Sequence, residues 1–223
     1  MTLHLQREIE GLKKMVLRLG TQVEELVFKA VKALDTRDTP LAERIIAADL
    51  EVDRHEVDLE EECLKILALH QPVAIDLRFV ISVLKINNDL ERIGDESVNI
   101  AERTLFLNSQ PAIDIPLDFQ GMADKTKIML KNSLTALVNM DTALARDVCA
   151  ADDEVDALNR EMYSLVQERI RQEPAELERL IHLLSISRHL ERIADHATNI
   201  AEDVLYMVQG EIVRHRSEDY RQQ

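Results

Sequence analysis

The chain has 223 residues, 46% of them apolar but only 3% aromatic, with five Gly and five Pro. So few β-favouring rings and turn residues argue against a sheet-rich fold and for an all-α one, and the length admits one large domain or two of about 100 residues, each with its own core. The formal charge of −15, from 42 acidic against 27 basic side chains, argues against nucleic acid, which needs basic stripes to displace counterions, and favours cations or basic partner surfaces.

The opening MTLHLQREIE lacks the apolar centre of a signal peptide. No later run approaches the roughly 20 apolar residues of a membrane span, so a cytoplasmic protein is expected whose membrane contact passes through partners. The first helix is expected over 3–36, where Leu12, Met15, Leu19, Val23, Leu26, Val27, Ala30 and Leu34 recur at helical period, with RDTP around Pro40 ending it. A second helix covers 41–69, ended by Gln71-Pro72, and a third 75–108. SQPAIDIPLD, with Pro111 and Pro116, is the one extended break. Fourth, fifth and sixth helices follow at 117–138, 141–171 and 174–209, and Gly210 closes the last. Cys63 and Cys149 fall inside helices with no CxxC, which argues against both a disulfide scaffold and a thiolate zinc site.

The chain repeats itself. LERIGDESVNIAE, from Leu90 to Glu102, returns one hundred positions later as LERIADHATNIAE, from Leu190 to Glu202. Upstream, Ala33, Leu34, Asp38, Leu41, Asp49 and Asp53 match Ala136, Leu137, Asp141, Leu144, Asp152 and Asp156 at an offset of 103. The three lost residues fall where HQPVAIDLR faces the shorter QEPAELER, a turn, which is where indels belong. Six helices thus divide into two three-helix units: 1–109, a linker at 110–116, 117–210, and a polar tail at 211–223.

Each unit carries two (D/E)xxxD pairs on different helices: Asp49 with Asp53 and Glu91 with Asp95, then Asp152 with Asp156 and Glu191 with Asp195. A spacing of four leaves the two carboxylates about 40° apart on one helix side. In so acidic a chain such a pair is usually a solvated face, but these are placed differently. Leu77, Val80, Leu84, Leu105 and Phe106 lie within about 60° of Glu91, and Leu177, Leu180, Leu184, Leu205 and Tyr206 repeat this around Glu191. In the second helix Ile45, Ile46, Cys63, Leu64 and Leu67 bracket Asp49, Asp53, Glu56 and Glu60. The acids interrupt apolar stripes.

Carboxylates on packing faces need a cation, arginine partners or protonation. Oxygen-only ligands suit Mg²⁺, Mn²⁺ or iron; ion pairs or a hydrated acidic groove are the structural alternatives. Arg92 and Arg192 point about 100° from Glu91 and Glu191, which makes same-helix neutralisation poor. No histidine follows a Glu by three residues, which disfavours ferritin-like di-iron chemistry, and no nucleophile or nucleotide motif appears. His189 and His196 replace Asp89 and Glu96, so the two sites need not be equivalent, and both rings point toward solvent or a neighbouring helix. Opposite Glu91 runs a second stripe, Ile86, Leu90, Ile93, Ile100 and Leu107, mirrored by Ile186, Leu190, Ile193, Ile200 and Met207. It makes these helices either central between the units or part of a homodimer or partner groove.

LKINNDLERIGDESVNIAE with its second copy, the turn QPVAIDLR and the opening REIEGLKKMVLRLG together resemble the PhoU family of phosphate-specific transport accessory proteins, over nearly the whole chain. The resemblance implies two similar three-helix bundles with pseudo-twofold symmetry, often dimeric, with multinuclear metal clusters at Asp49, Asp53, Glu91, Asp95, Asp152, Asp156, Glu191 and Asp195. It further implies negative regulation of phosphate uptake, exerted on the phosphate ABC transporter with its ATPase subunit and on the phosphate-sensing histidine kinase. The expectation is an adaptor without catalysis; a metal-dependent enzyme or metal store built on the same carboxylates is the alternative.

Overall fold

The computed structural model describes residues 3–210; the polar tail expected at 211–223 lies outside them. Six long helices make up the described chain: α1 (Leu3–Thr36), α2 (Thr39–His70), α3 (Ala74–Asn108), α4 (Phe119–Asn139), α5 (Thr142–Gln172) and α6 (Leu177–Gln209). No strand occurs among the described residues. The fold is all-α, two similar three-helix bundles formed by internal duplication.

The duplication extends to the turns. Arg37 ends α1 at φ 52° and Met140 ends α4 at φ 54°. The next residue is in each case an aspartate, whose N–H bonds back at 2.9 Å to Ala33 O or to Ala136 O and whose carboxylate caps the following helix. Asp38 accepts from Leu41 N at 2.9 Å, and Asp141 from Ala143 N and Leu144 N at 3.0 Å. Three expected boundaries move for this reason. Pro40 does not stop the first helix; it sits in the first turn of α2, where its missing N–H costs nothing, so α2 starts at Thr39. Asp141 precedes α5 as its cap. Asp118 caps α4 through Gly121 N at 2.8 Å, which delays that helix to Phe119. Pro174–Glu176 forms a separate 3-10 turn before α6. Gly210, at φ 75°, closes α6 with its N–H on Tyr206 O at 2.8 Å.

The halves meet where α3 lies on α6 and α1 on α4, while α2 and α5 each pack only within their own half. Ile86, Leu90, Ile93 and Ile100, with Ile186, Leu190, Ile193 and Ile200, are all 0% exposed. The second apolar stripe is therefore consumed inside the chain, each side chain contributing about 1.5–3 kcal/mol. At the other crossing a Cβ on Gly20 would stand 2.5 Å from Leu134 Cδ1, so glycine there leaves room for the Leu134 side chain between α1 and α4. The linker is tied down by Arg37 Nη2, which donates to Leu107 O and Gln110 O at 2.7 Å, and by Arg179 Nη1 on Pro111 O at 2.9 Å. No described helix is long and apolar enough to cross a membrane.

Candidate functional site

In each half the two acidic pairs face one another across a helix contact, α2 on α3 and α5 on α6. A close approach sets this up in the first half: a Cβ on Gly94 would be 3.2 Å from Val52 Cγ1, and these two positions immediately precede Asp95 and Asp53. Asp53 and Asp195 are exposed; Asp49, Glu91, Asp95, Asp152, Asp156 and Glu191 are half-buried. Partial burial followed by mutual repulsion raises the carboxyls of Asp49, with Asp53 and Asp95 nearby, and of Glu91, with Asp95, Glu56 and Asp53 nearby. Asp95 is raised chiefly by burial, against the opposing charge of Arg92.

The second half repeats the pattern more strongly. Burial first, then Asp195, Asp156, Asp153 and Glu191, pushes Asp152 from 3.8 up to about 7. Glu191 and Asp195 rise with it, each mainly from loss of carboxyl hydration, Asp195 although the residue as a whole is exposed. All eight sequence-selected acids thus lie in two clusters of four, each drawn from two helices. Among the described residues no three His, Cys, Asp or Glu side chains converge tightly enough to close on one ion. The donor set is carboxylate oxygen alone; burial raises the thiols of Cys63 and Cys149 to about 12, which makes them poor thiolate ligands.

Arginine does little to relieve the repulsion. Arg92 Nε stands 3.7 Å from Glu91 Oε2, and the exposed Arg160 reaches Asp156 Oδ2 at 3.3 Å. Arg192 turns away instead, crossing to α3 to meet Glu96 Oε1 at 2.9 Å. Glu96 is almost fully buried at the seam, where His189 Nδ1 lies 2.5 Å from Oε2. Burial pushes the Glu96 carboxyl up, but the His189 hydrogen bond and the charges of His189 and Arg192 outweigh it and hold the group below its ordinary value. His196 Nδ1 meets Asp89 Oδ1 at 2.8 Å, with Asn199 on the same oxygen at 3.3 Å. Both histidines face the neighbouring helix, as their wheel positions imply. The duplicated positions thus pair crosswise, 189 with 96 and 196 with 89, so histidine at 189 and 196 makes two complementary contacts where acids at all four positions would face one another.

The PhoU domain model matches residues 16–104 and again 119–204. The chain belongs to the PhoU family. A phosphate-specific transport system accessory protein PhoU homolog of Aquifex aeolicus is 38% identical over 212 residues, 95% of this chain and 96% of that protein. The crystal structure of PhoU from Pseudomonas aeruginosa superposes with a TM-score of 0.89 at 34% identity, covering 92% of this chain and 99% of that one. The phosphate transport system regulatory protein PhoU from Streptococcus pneumoniae gives 0.84 at 32% identity, over 94% and 99%.

Within this PhoU fold the two clusters differ. Glu56 shares the α2 line of Asp49 and Asp53; Asn87 Nδ2 donates to its backbone oxygen at 2.9 Å and to Oε1 at 3.1 Å. Its carboxyl is raised by burial, then by Glu60 and Asp53. The second half has Asn159 there, accepting from Ser187 Oγ at 2.7 Å, and Tyr163 and Arg188 where the first has Glu60 and Asn88. A groove of about 620 Å³ runs past Asn159, Tyr163, Arg188, Glu191, Arg192 and Asp195. The first cluster is the more negative, and Glu56 belongs to it although the (D/E)xxxD pattern does not reach it. Its signal in the sequence was its seven-residue distance from Asp49. The bracketing residues also divide: Val80, Leu180 and Leu205 are buried, whereas Leu64, Leu77 and Leu177 are exposed, because helix two turns its 64 position outward and Leu77 and Leu177 sit in first turns beyond the packed part of the bundle.

Proposed function

We propose that this PhoU-family chain is a regulatory adaptor without catalysis that restrains phosphate uptake. When phosphate is plentiful it acts on the phosphate ABC transporter, through the ATPase subunit, and on the phosphate-sensing histidine kinase, silencing the starvation response. It does so in the cytoplasm, as a homodimer, and reaches the membrane only through those partners. The observation that carries the reading is the PhoU-domain match over both halves of the chain, beside relatives named as accessory proteins of phosphate-specific transport.

Its carboxylate clusters hold hard cations, Mg²⁺, Mn²⁺ or iron. The donor chemistry fits: oxygen ligands only, six of the eight half-buried, with Asp49 and Asp152 raised first by burial and then by neighbouring carboxylates. Because no three side chains converge, a bound ion would keep part of its water shell, as Mg²⁺ does readily. Bound cations supply positive charge that neutralises the clusters. Asp49, Asp53, Glu91 and Asp95 would hold the ion between α2 and α3, and Asp152, Asp156, Glu191 and Asp195 between α5 and α6, linking helices whose facing acids otherwise repel.

Deletion of the gene, with phosphate uptake and starvation-gene expression measured in phosphate-rich medium, tests the regulatory role. Both are expected to rise; unchanged levels of both would overturn it. Elemental analysis of dialysed protein tests the cation role separately. Asp95→Asn with Asp195→Asn is expected to lose most of the bound metal, and full retention would count against these ligands.

A further inference from the structure

The outer face of α2 carries an apolar row that the fold does not use. Leu50, Val57 and Leu64 are 64%, 49% and 52% exposed. Their spacing of seven places each within about 20° of the next on the helix, a row some 21 Å long. The half-buried Ile46 and the exposed Ala68 extend the same line. Because α2 touches only α1 and α3 among the described helices, no other described helix covers this face. Isolated exposed leucines are ordinary on protein surfaces, whereas three in line at one heptad position make a continuous apolar strip that a partner helix can cover.

The chain contains its own control. At the offset of 103, the α5 positions matching 50, 57 and 64 are Asp153, Arg160 and Gln167. The same helix, in the same bundle position, folds with three polar residues there. The apolar row is therefore not a requirement of the architecture and asks for another explanation. Its borders show the same asymmetry. Exposed Asp53 and Glu60 flank the row on the side toward α3, Glu43 stands in line with it one heptad before Leu50, and the other side is mixed, with exposed Glu61 beside exposed Arg54 and Lys65; the matching α5 positions of 43, 60 and 61 are Arg146, Tyr163 and Ser164.

We propose that this face of α2 is a docking site for a basic amphipathic helix of a partner protein, with apolar residues at heptad spacing flanked by lysine or arginine. A second copy of this chain fits poorly, since α2 against α2 would set four exposed acids, Glu43, Asp53, Glu60 and Glu61, but only two exposed bases, Arg54 and Lys65, from each side against their like. A basic helix buries the row and pairs with Asp53 and Glu60 on the α3 side and with Glu43 and Glu61. The inference goes beyond the regulatory reading and is independent of the cation clusters: it stands on residues outside the eight carboxylates, apart from Asp53 at its border.

The test uses the full-length protein and a synthetic helical peptide of about 21 residues, with leucine at heptad spacing and lysine or arginine on both flanks. Binding is followed by fluorescence anisotropy. The variant Leu50→Asp, Val57→Arg, Leu64→Gln installs the residues α5 already tolerates. It is expected to keep its thermal midpoint and to weaken binding at least about tenfold, and raised salt is expected to weaken binding to the parent. Equal binding by parent and triple variant would overturn the proposal, as would equal binding of a peptide with serine in place of every leucine. So would a concentration-dependent dimer, seen by sedimentation, that the triple variant abolishes, because the row would then serve a second copy.

Discussion

Replacing Asp152 by asparagine measures how strongly the clustered carboxylates resist ionisation. Asp152 sits on α5 where burial, then Asp195, Asp156, Asp153 and Glu191, carry its carboxyl from 3.8 to about 7. The folded protein holds this proton more tightly than the unfolded chain does. Stability therefore falls as pH rises through the window from about 4 to about 7, and the loss is complete and constant above it. Moving a carboxyl that far corresponds to about 4 kcal/mol at full weight. Asp152 keeps enough contact with water that screening reduces this to roughly 1–2 kcal/mol. Asp152→Asn, unfolded in urea with a chelator present, is expected to gain roughly 1–2 kcal/mol over the parent at about pH 8 and to differ by less than about 0.5 kcal/mol at about pH 4, where the parent is protonated too. Equal differences at the two pH values would refute the reasoning, since they would mean the ionised carboxylate bears no strain.

Saturating Mn²⁺ at about pH 8 is expected to stabilise the parent by mass action, about 2.7 kcal/mol at a hundred times the dissociation constant, and Asp152→Asn with Asp195→Asn much less; thermal melts with and without chelator check this. His189→Ala removes the ring beside the buried Glu96 carboxylate and should cost about 1–3 kcal/mol in urea unfolding at neutral pH. Leu190→Ala opens a cavity at the fully buried α3–α6 seam, at an expected cost of about 2–5 kcal/mol that lowers the melting midpoint of the whole chain if the halves unfold together. Asp38→Ala and Asp141→Ala delete equivalent caps and should each cost about 1 kcal/mol; a large difference between them would show that the two turns are not energetically equivalent.

Six helices, their duplication and eight members of the two acidic clusters were legible in the residues alone, whereas Glu56 joined the first cluster only in the structure. Apolar period, helix stops and a repeated signature are local properties, and a spacing of four sets two carboxylates on one side of a helix whatever surrounds it. The boundary shifts at Thr39, Phe119 and Thr142 have local causes too, in aspartate caps and a proline suited to a first turn. A helical wheel gives direction about one axis and says nothing about which neighbour lies in that direction. Only packing decided that His189 meets Glu96 and His196 meets Asp89, since each pair is about a hundred residues apart in sequence. Packing also drew Arg192 across to α3 and left Arg92 long on Glu91. The same limit explains Leu64, which the wheel groups with an apolar stripe but which stands exposed beside Leu50 and Val57. The residues determined which side chains share a face; the assembly of two bundles through α3 and α6 determined which faces were buried, which were neutralised and which were left for something else to cover.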